Sequence, residues 1–229
     1  MLDPACAARA KVFLSVGHDE YWDPRQYDNA KASILSGRSQ MYLSWNAVCF
    51  LSPFRPSSQG TPNRIITRAG RYGGLTAEET KQMGPFPMEG PNENLLIGAR
   101  TITPFNGGGD WIVAKPDHWI FEGARVRKGD AIPGLVGWEF HGDPAAIPGL
   151  EVVAEGIALS GGTRPAHWTA TVYPGPKKNV VFNAATIWWA QGLESPPGHM
   201  LPWSHFTRPH GPDERVRRIT HNVLKRALA

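Results

Sequence analysis

Apolar residues come in short runs in the first fifth of the chain and in turn-bounded stretches later, and the two patterns predict different elements. Val12, Phe13, Leu14 and Val16 form a run closed by Gly17, which predicts a strand buried on both faces rather than one with a solvated side. Pro24 suits the first turn of a helix. Arg25 to Leu35 continues that helix, with Ala30 and Ile34 spaced for one face and Ser36-Gly37 as its stop. Met41 to Trp45 is the next strand, and a strand, helix, strand succession predicts a right-handed crossover between parallel neighbours. From Asn94 onward the strands are Leu95 to Ile102, Trp111 to Ala114, Leu150 to Ala158, His167 to Tyr173 and Asn179 to Ala184. Turn chemistry at Asn106 to Asp110 and at Tyr173 to Pro176 predicts antiparallel pieces there. After a Pro-rich turn, Asp213 is placed to cap a last helix reaching Leu228, whose Val216, Ile219, Val223 and Leu224 make one apolar stripe. The fold class is therefore α/β, with an antiparallel, β-rich second half.

Composition changes this picture in one place. Ser52 to Pro91 is rich in Pro, Ser, Gly and Arg, and the excursion over residues 52–93 is too long for a plain connection, so it reads as a loop or lid insertion. Arg68, Arg71 and Tyr72 are its polar members expected near a ligand. The length of 229 residues suits a single domain with a real core. A strand at residue 11 with no βα unit before it predicts that such units lie upstream, so the domain is expected to be N-terminally truncated.

Charge and cysteines mainly exclude. The formal net charge of +4, from 24 basic and 20 acidic residues, is not clustered except at Arg215 to Arg218, which argues against nucleic acid as a partner. No apolar stretch approaches the ~20 residues of a membrane span, and the start lacks the layout of a signal peptide. Cys6 and Cys49 form no framework, which fits a reducing cytoplasm. Cys49 sits in an apolar context and reads as an inert thiol.

Chemistry concentrates where the first strand should end. His18, Asp19, Glu20 and Tyr21 follow one another there, and ligands of open α/β sheets bind outside the carboxyl ends of strands. Asn46 follows the second strand at the same edge. Glu139 and His141, at i and i+2 of an alternating stretch from Gly134, are expected to point the same way if that stretch is a strand. These residue types leave two options open: a hard or borderline metal held by carboxylate and phenolate oxygens, or Glu20 and His18 as an acid/base pair. No G-x-G-x-x-G, P-loop, H-E-x-x-H or G-x-S-x-G occurs.

The runs VGHDEYW, GPNENLLIGA, GLVGWEFHG and NVVFNAATIWWAQGL resemble the C-terminal domain of the large (beta) subunit of N,N-dimethylformamidase and its relatives, across almost the whole chain. That resemblance implies a class I glutamine amidotransferase-like, flavodoxin-like sheet with βα units ahead of residue 1. It implies hydrolysis of small amides at a mononuclear iron bound by two tyrosines and a glutamate, in a protein that works with a small subunit or as a homo-oligomer. By the resemblance Tyr21 is an iron ligand, with His18 and Glu20 as neighbours that bind or activate water and substrate; Asn46, from its place at the strand end, joins them as a catalytic candidate that steers the carbonyl. Arg71, Tyr72, Glu139 and His141 are then substrate-binding candidates. Arg71 stands where the family's G-E-Y-G-G segment has its glutamate, and the second tyrosine is expected upstream. An inactive or metal-free relative, acting as a ligand-binding or assembly domain, is the alternative.

Overall fold

A computed structural model describes residues 2–84, 86–102, 107–160, 164–195 and 211–229. Its centre is a mixed sheet of seven strands, β1 (Val12–His18), β2 (Ser39–Trp45), β3 (Gly107–Ile112), β4 (Ala131–Trp138), β5 (Glu151–Ser160), β6 (Arg164–Pro174) and β7 (Val180–Asn183), in the order β1-β2-β7-β6-β5-β3-β4. Strands β1, β2 and β7 run parallel, and the remaining pairs are antiparallel. The crossover from β1 to β2 is helix α1 (Pro24–Leu35). Asp23 caps it in a capping box with Gln26, Pro24 opens it, and Gly37 takes a positive φ of 99° where the chain leaves it.

Strand β2 shows why the sheet lies in the middle. All seven of its residues are buried. Met41, Leu43 and Trp45 pack on one face with Trp111, Trp168, Phe182 and Trp189, against Val216, Ile219 and Val223 of the C-terminal helix α2 (Glu214–Leu228). Tyr42 packs on the other with Tyr27, Ala30 and Ile34 of α1. The period-two alternation of the strand thus feeds two separate cores. Asp213 caps α2 by accepting a hydrogen bond from the Arg215 amide.

Several expectations are corrected. Strand β1 is an edge strand, and Leu14 and Val16 are 47% and 50% exposed; an apolar run does not by itself distinguish a covered strand from an edge one. Leu95 to Ile102 is not one strand. Asn94–Ile97 is a helical turn, ended by Gly98 at φ 102°, and only Ala99–Thr101 is extended. The glycines 107–109 lie in β3 and not in a turn. A Cβ on Gly107 would fall 1.5 Å from the Leu159 carbonyl oxygen, so glycine is what lets β3 approach β5. Asn106 and the Pro-rich turn before Gly211 lie outside the described residues.

The 52–93 excursion is built rather than loose. Tyr21–Trp22, Phe50–Leu51, Gly70–Gly73 and Met88–Asn92 form a small four-stranded sheet, and Phe54–Arg55 pairs with Ile65–Ile66. That small sheet takes its first strand from the segment immediately after His18.

Candidate active site

The end of β1 is fixed by polar contacts before any site chemistry is considered. The Ser15 hydroxyl donates to Asp19 Oδ2 at 2.7 Å, and Trp22 Nε1 donates to Asp19 Oδ1 at 2.9 Å. The Val48 amide donates to the Asp19 carbonyl and the Phe50 amide to the Glu20 carbonyl. Asp19 therefore clamps the turn that presents its neighbours on either side. Sequence reasoning gave it no such role, although a carboxylate four residues after a strand serine and three before a tryptophan is a readable signal.

From across the sheet comes Glu139. Strand β4 stops at Trp138, Glu139 occupies a bend, and His141 begins a separate short strand, His141–Pro144. Trp45 Nε1 donates to the Phe140 carbonyl at 2.6 Å, and the Ile187 amide donates to the Glu139 carbonyl. The end of β2 thereby holds the bend against the end of β1. Glu139 Oε2 comes within 2.9 Å of His18 Nε2, yet this oxygen has no well-directed hydrogen bond among the described residues. One donor atom from each of His18, Glu20 and Glu139 lies within 4.8 Å of the other two. The carboxylates are buried and the imidazole is half exposed, so the cluster opens to solvent through His18.

Burial governs the electrostatics. Desolvation, and then the charge of Glu20, push the Glu139 carboxyl up to about 10. Desolvation also raises Glu20, but a hydrogen bond with the Tyr21 hydroxyl and the charges of His18 and Arg68 work against it. The two carboxyls are thus held apart, Glu139 as the protonated member.

The other candidate residues fall in different places. Tyr21 is 45% exposed, stacks on Phe50 with ring centroids 5.4 Å apart, and touches the cluster through Glu20. Asn46 follows β2 directly, one residue after Trp45, which pairs with His18. It is fully buried at a positive φ of 43°, and neither its amide nitrogen nor its amide oxygen has a partner among the described residues. An orphaned buried amide in left-handed backbone at a strand end marks Asn46 as a candidate functional residue.

His141 lies apart from Glu139, because the strand break ends the expected same-face pairing. It is buried with Nδ1 2.8 Å from Asn183 Oδ1, and desolvation brings it down to about 4, so it is neutral near pH 7. Arg71 turns to Glu89 at 3.4 Å. Tyr72 is buried, stacks on Tyr27 and donates to the Trp22 carbonyl. Cys49 is buried and its thiol is pushed well up, first by desolvation. His118 caps the short helical turn Trp119–Phe121.

Three parallel strands within a mixed seven-stranded sheet define an α/β protein, and His18, Glu20 and Glu139 are its candidate centre. The particular family follows from comparison: the family model described as "N,N-dimethylformamidase beta subunit-like, C-terminal" matches residues 2–202, and the chain belongs to that family. A search of curated proteins gives no match. No helix among the described residues is long and apolar enough to cross a membrane.

Proposed function

We propose that this chain carries the active centre of a hydrolase of small amides. The observation that carries the reading is the convergence of His18, Glu20 and Glu139 within 4.8 Å at the carboxyl ends of the parallel strands, in a chain whose family description is dimethylformamidase-like. Hydrolysis adds water across the C–N bond and yields a carboxylic acid and an amine. Glu20, the carboxyl with charges and a hydrogen bond opposing its rise, takes a proton from the attacking water. Glu139, protonated near neutral pH, gives its proton to the departing nitrogen. The Asn46 amide group, without a protein partner, donates to the carbonyl oxygen as charge develops there. His18, bridging the carboxyls and solvent, returns the proton from Glu20 to Glu139. Two carboxyls with protonation states pushed apart are the general requirement for such a division of labour.

The iron set implied by the resemblance is only partly met. Tyr27, Tyr42, Tyr72 and Tyr173 spend their hydroxyls on Asn92, Gln40, Trp22 and Leu96, so Tyr21 is the tyrosine of this chain that stands beside the cluster, and the second tyrosine of the set is the one the resemblance places upstream. The chemistry of His18, Glu20 and Glu139, one imidazole nitrogen and two carboxylates with donor atoms within 4.8 Å of one another, does fit a hard or borderline cation. Held there, a cation would polarise the carbonyl and acidify water.

Two coarser features support the family reading. The parallel trio with its site at the strand ends suits a class I glutamine amidotransferase-like sheet, and the subunit in the family description suits a protein that works in a complex or as an oligomer.

The test is release of amine from formamides and acetamides by the purified protein, with metal content measured on the same samples. Glu20→Gln and Glu139→Gln should each lower release by about 10²-fold or more while leaving the protein folded. Turnover that survives both substitutions would sink the reading.

A further inference from the structure

Arg68 is the polar group beside the cluster that the chemistry above leaves unused. Its neighbour Ala69 is pinned in the small sheet, donating to the Leu51 carbonyl and accepting from the Met88 amide. The Arg68 guanidinium lies 4.9 Å from the centre of the Phe50 ring and 5.9 Å from that of Phe86, and those rings meet edge to face at 5.7 Å. Phe50 in turn carries the stacked Tyr21 ring, whose hydroxyl meets Glu20. A continuous ladder of contacts therefore runs from the buried carboxylates to an exposed arginine.

Ring stacking orders a guanidinium without using its N–H donors, which lie in its own plane. Arg25, Arg100 and Arg215 have theirs committed to Asp23, Glu79 and Asp213. Arg68 makes neither a hydrogen bond nor an ion pair among the described residues, and it forms none with Glu20 despite acting on its charge. A held cation with free planar donors matches a planar anion, most simply a carboxylate.

We propose that Arg68 is an anion-binding subsite next to the cluster, and that the amide cleaved there carries a carboxylate a few bonds from its C–N bond. The inference rests on the hydrolase reading and names its substrate class: mono-amides of dicarboxylic acids and similar amide acids, rather than neutral dialkyl amides. The carboxylate lies against the guanidinium over Phe50, and the amide reaches past Tyr21 to Glu20 and Glu139.

The experiment is calorimetric titration of the full chain with succinamate and, separately, with the neutral diamide succinamide. Wild type should bind succinamate about tenfold more tightly, the scale of one charge-assisted contact. In Arg68→Met the ratio of the two affinities should collapse toward one, and Arg68→Lys should keep part of it. No detectable binding of succinamate, no preference in wild type, or a preference that survives Arg68→Met would each overturn the subsite. Amide turnover is followed in parallel. Absent turnover with an intact, Arg68-dependent preference removes the hydrolase reading and leaves the subsite, whereas turnover of neutral amides without any preference does the reverse.

Discussion

Among the described residues are two groupings of one histidine with two carboxylates, and their composition is nearly the same. At the strand ends, His18 lies 2.9 Å from Glu139 with Glu20 close by. On the face of β5 and β6, His167 lies 3.1 Å from Asp143 and 3.1 Å from Glu155. The difference is water and a counter-ion. The Asp143 and Glu155 side chains are 60% and 50% exposed. Although partial burial works against it, hydrogen bonds from His167 and Arg100 draw Asp143 below the usual carboxylate range. Glu20 and Glu139 are almost wholly buried, and the group that meets Glu139 is a half-exposed imidazole rather than a guanidinium. Nearly the same residue types thus give a solvated ion network in one place and a buried, proton-holding pair in the other, and a carboxyl shifted by burial is the kind that acid/base work uses.

The sharpest way to break this comparison is to neutralise both groups. Glu20→Gln or Glu139→Gln should lower kcat/KM for amide hydrolysis by about 10²- to 10⁴-fold, the usual worth of a positioned acid or base. Asp143→Asn or Glu155→Gln should change it by no more than about threefold, since solvated surface pairs contribute little. Equal losses from both groups would erase the distinction.

Stability should sort the groups the other way. Arg100 donates to both oxygens of the buried Glu79 carboxylate and is itself 22% exposed. Arg100→Met removes the guanidinium from that carboxylate, which keeps the Thr76 amide as a donor, at a cost of about 3 kcal/mol, the low end for breaking a buried pair because the arginine has some access to water and the carboxylate retains a hydrogen bond. Urea unfolding of the variant measures this, and amide turnover per folded molecule should be unchanged.

Linkage gives a finer test, made on chelator-treated protein. The Glu139 carboxyl is held up to about 10 in the folded state, against 4.5 ordinarily. The folded protein therefore binds the extra proton, and its contribution to stability is full below the ordinary value and is lost as pH rises toward the folded one. Across that window wild type should lose stability by at most about 1.4 kcal/mol per pH unit from this group. Glu139→Gln should be free of that slope, and its urea midpoint should overtake wild type as pH rises.

How much of this was legible in the sequence depends on distance along the chain. The β1-α1-β2 unit could be read because its signals are local: Pro24 at the helix start, Ala30 and Ile34 on one face, and Gly37 at the stop. The capped last helix could be read for the same reason, and His18, Glu20 and Asn46 follow from strand ends alone. Glu139 was legible as a candidate but not its company. The pairing with His141 assumed an unbroken strand, whereas the bend after Trp138 is fixed by Trp45 and Ile187, from other parts of the sheet. The exposure of Leu14 and Val16 was likewise invisible, because a run of apolar residues does not record whether a neighbour covers it. Arg68 could be suspected from the lid, but its free donors depend on Phe50 and Phe86 folding beneath it.

The smallest expected effect also separates the two groups. His167 is 39% exposed on the side chain and bonds carboxylates that water already solvates. Replacing it by glutamine keeps a polar side chain of similar reach, so the change in stability should stay under about 1 kcal/mol and shrink further in about 1 M salt, where surface pairs are screened within a few ångströms. The pH slope assigned to Glu139 should persist in the same salt, because its origin is exclusion of water and not a solvent-exposed charge pair. Unfolding curves for wild type, His167→Gln and Glu139→Gln at two salt concentrations make the comparison directly. A Glu139-dependent slope that disappears in salt would place both histidine groups in the same screened regime, and the distinction drawn from burial would fail.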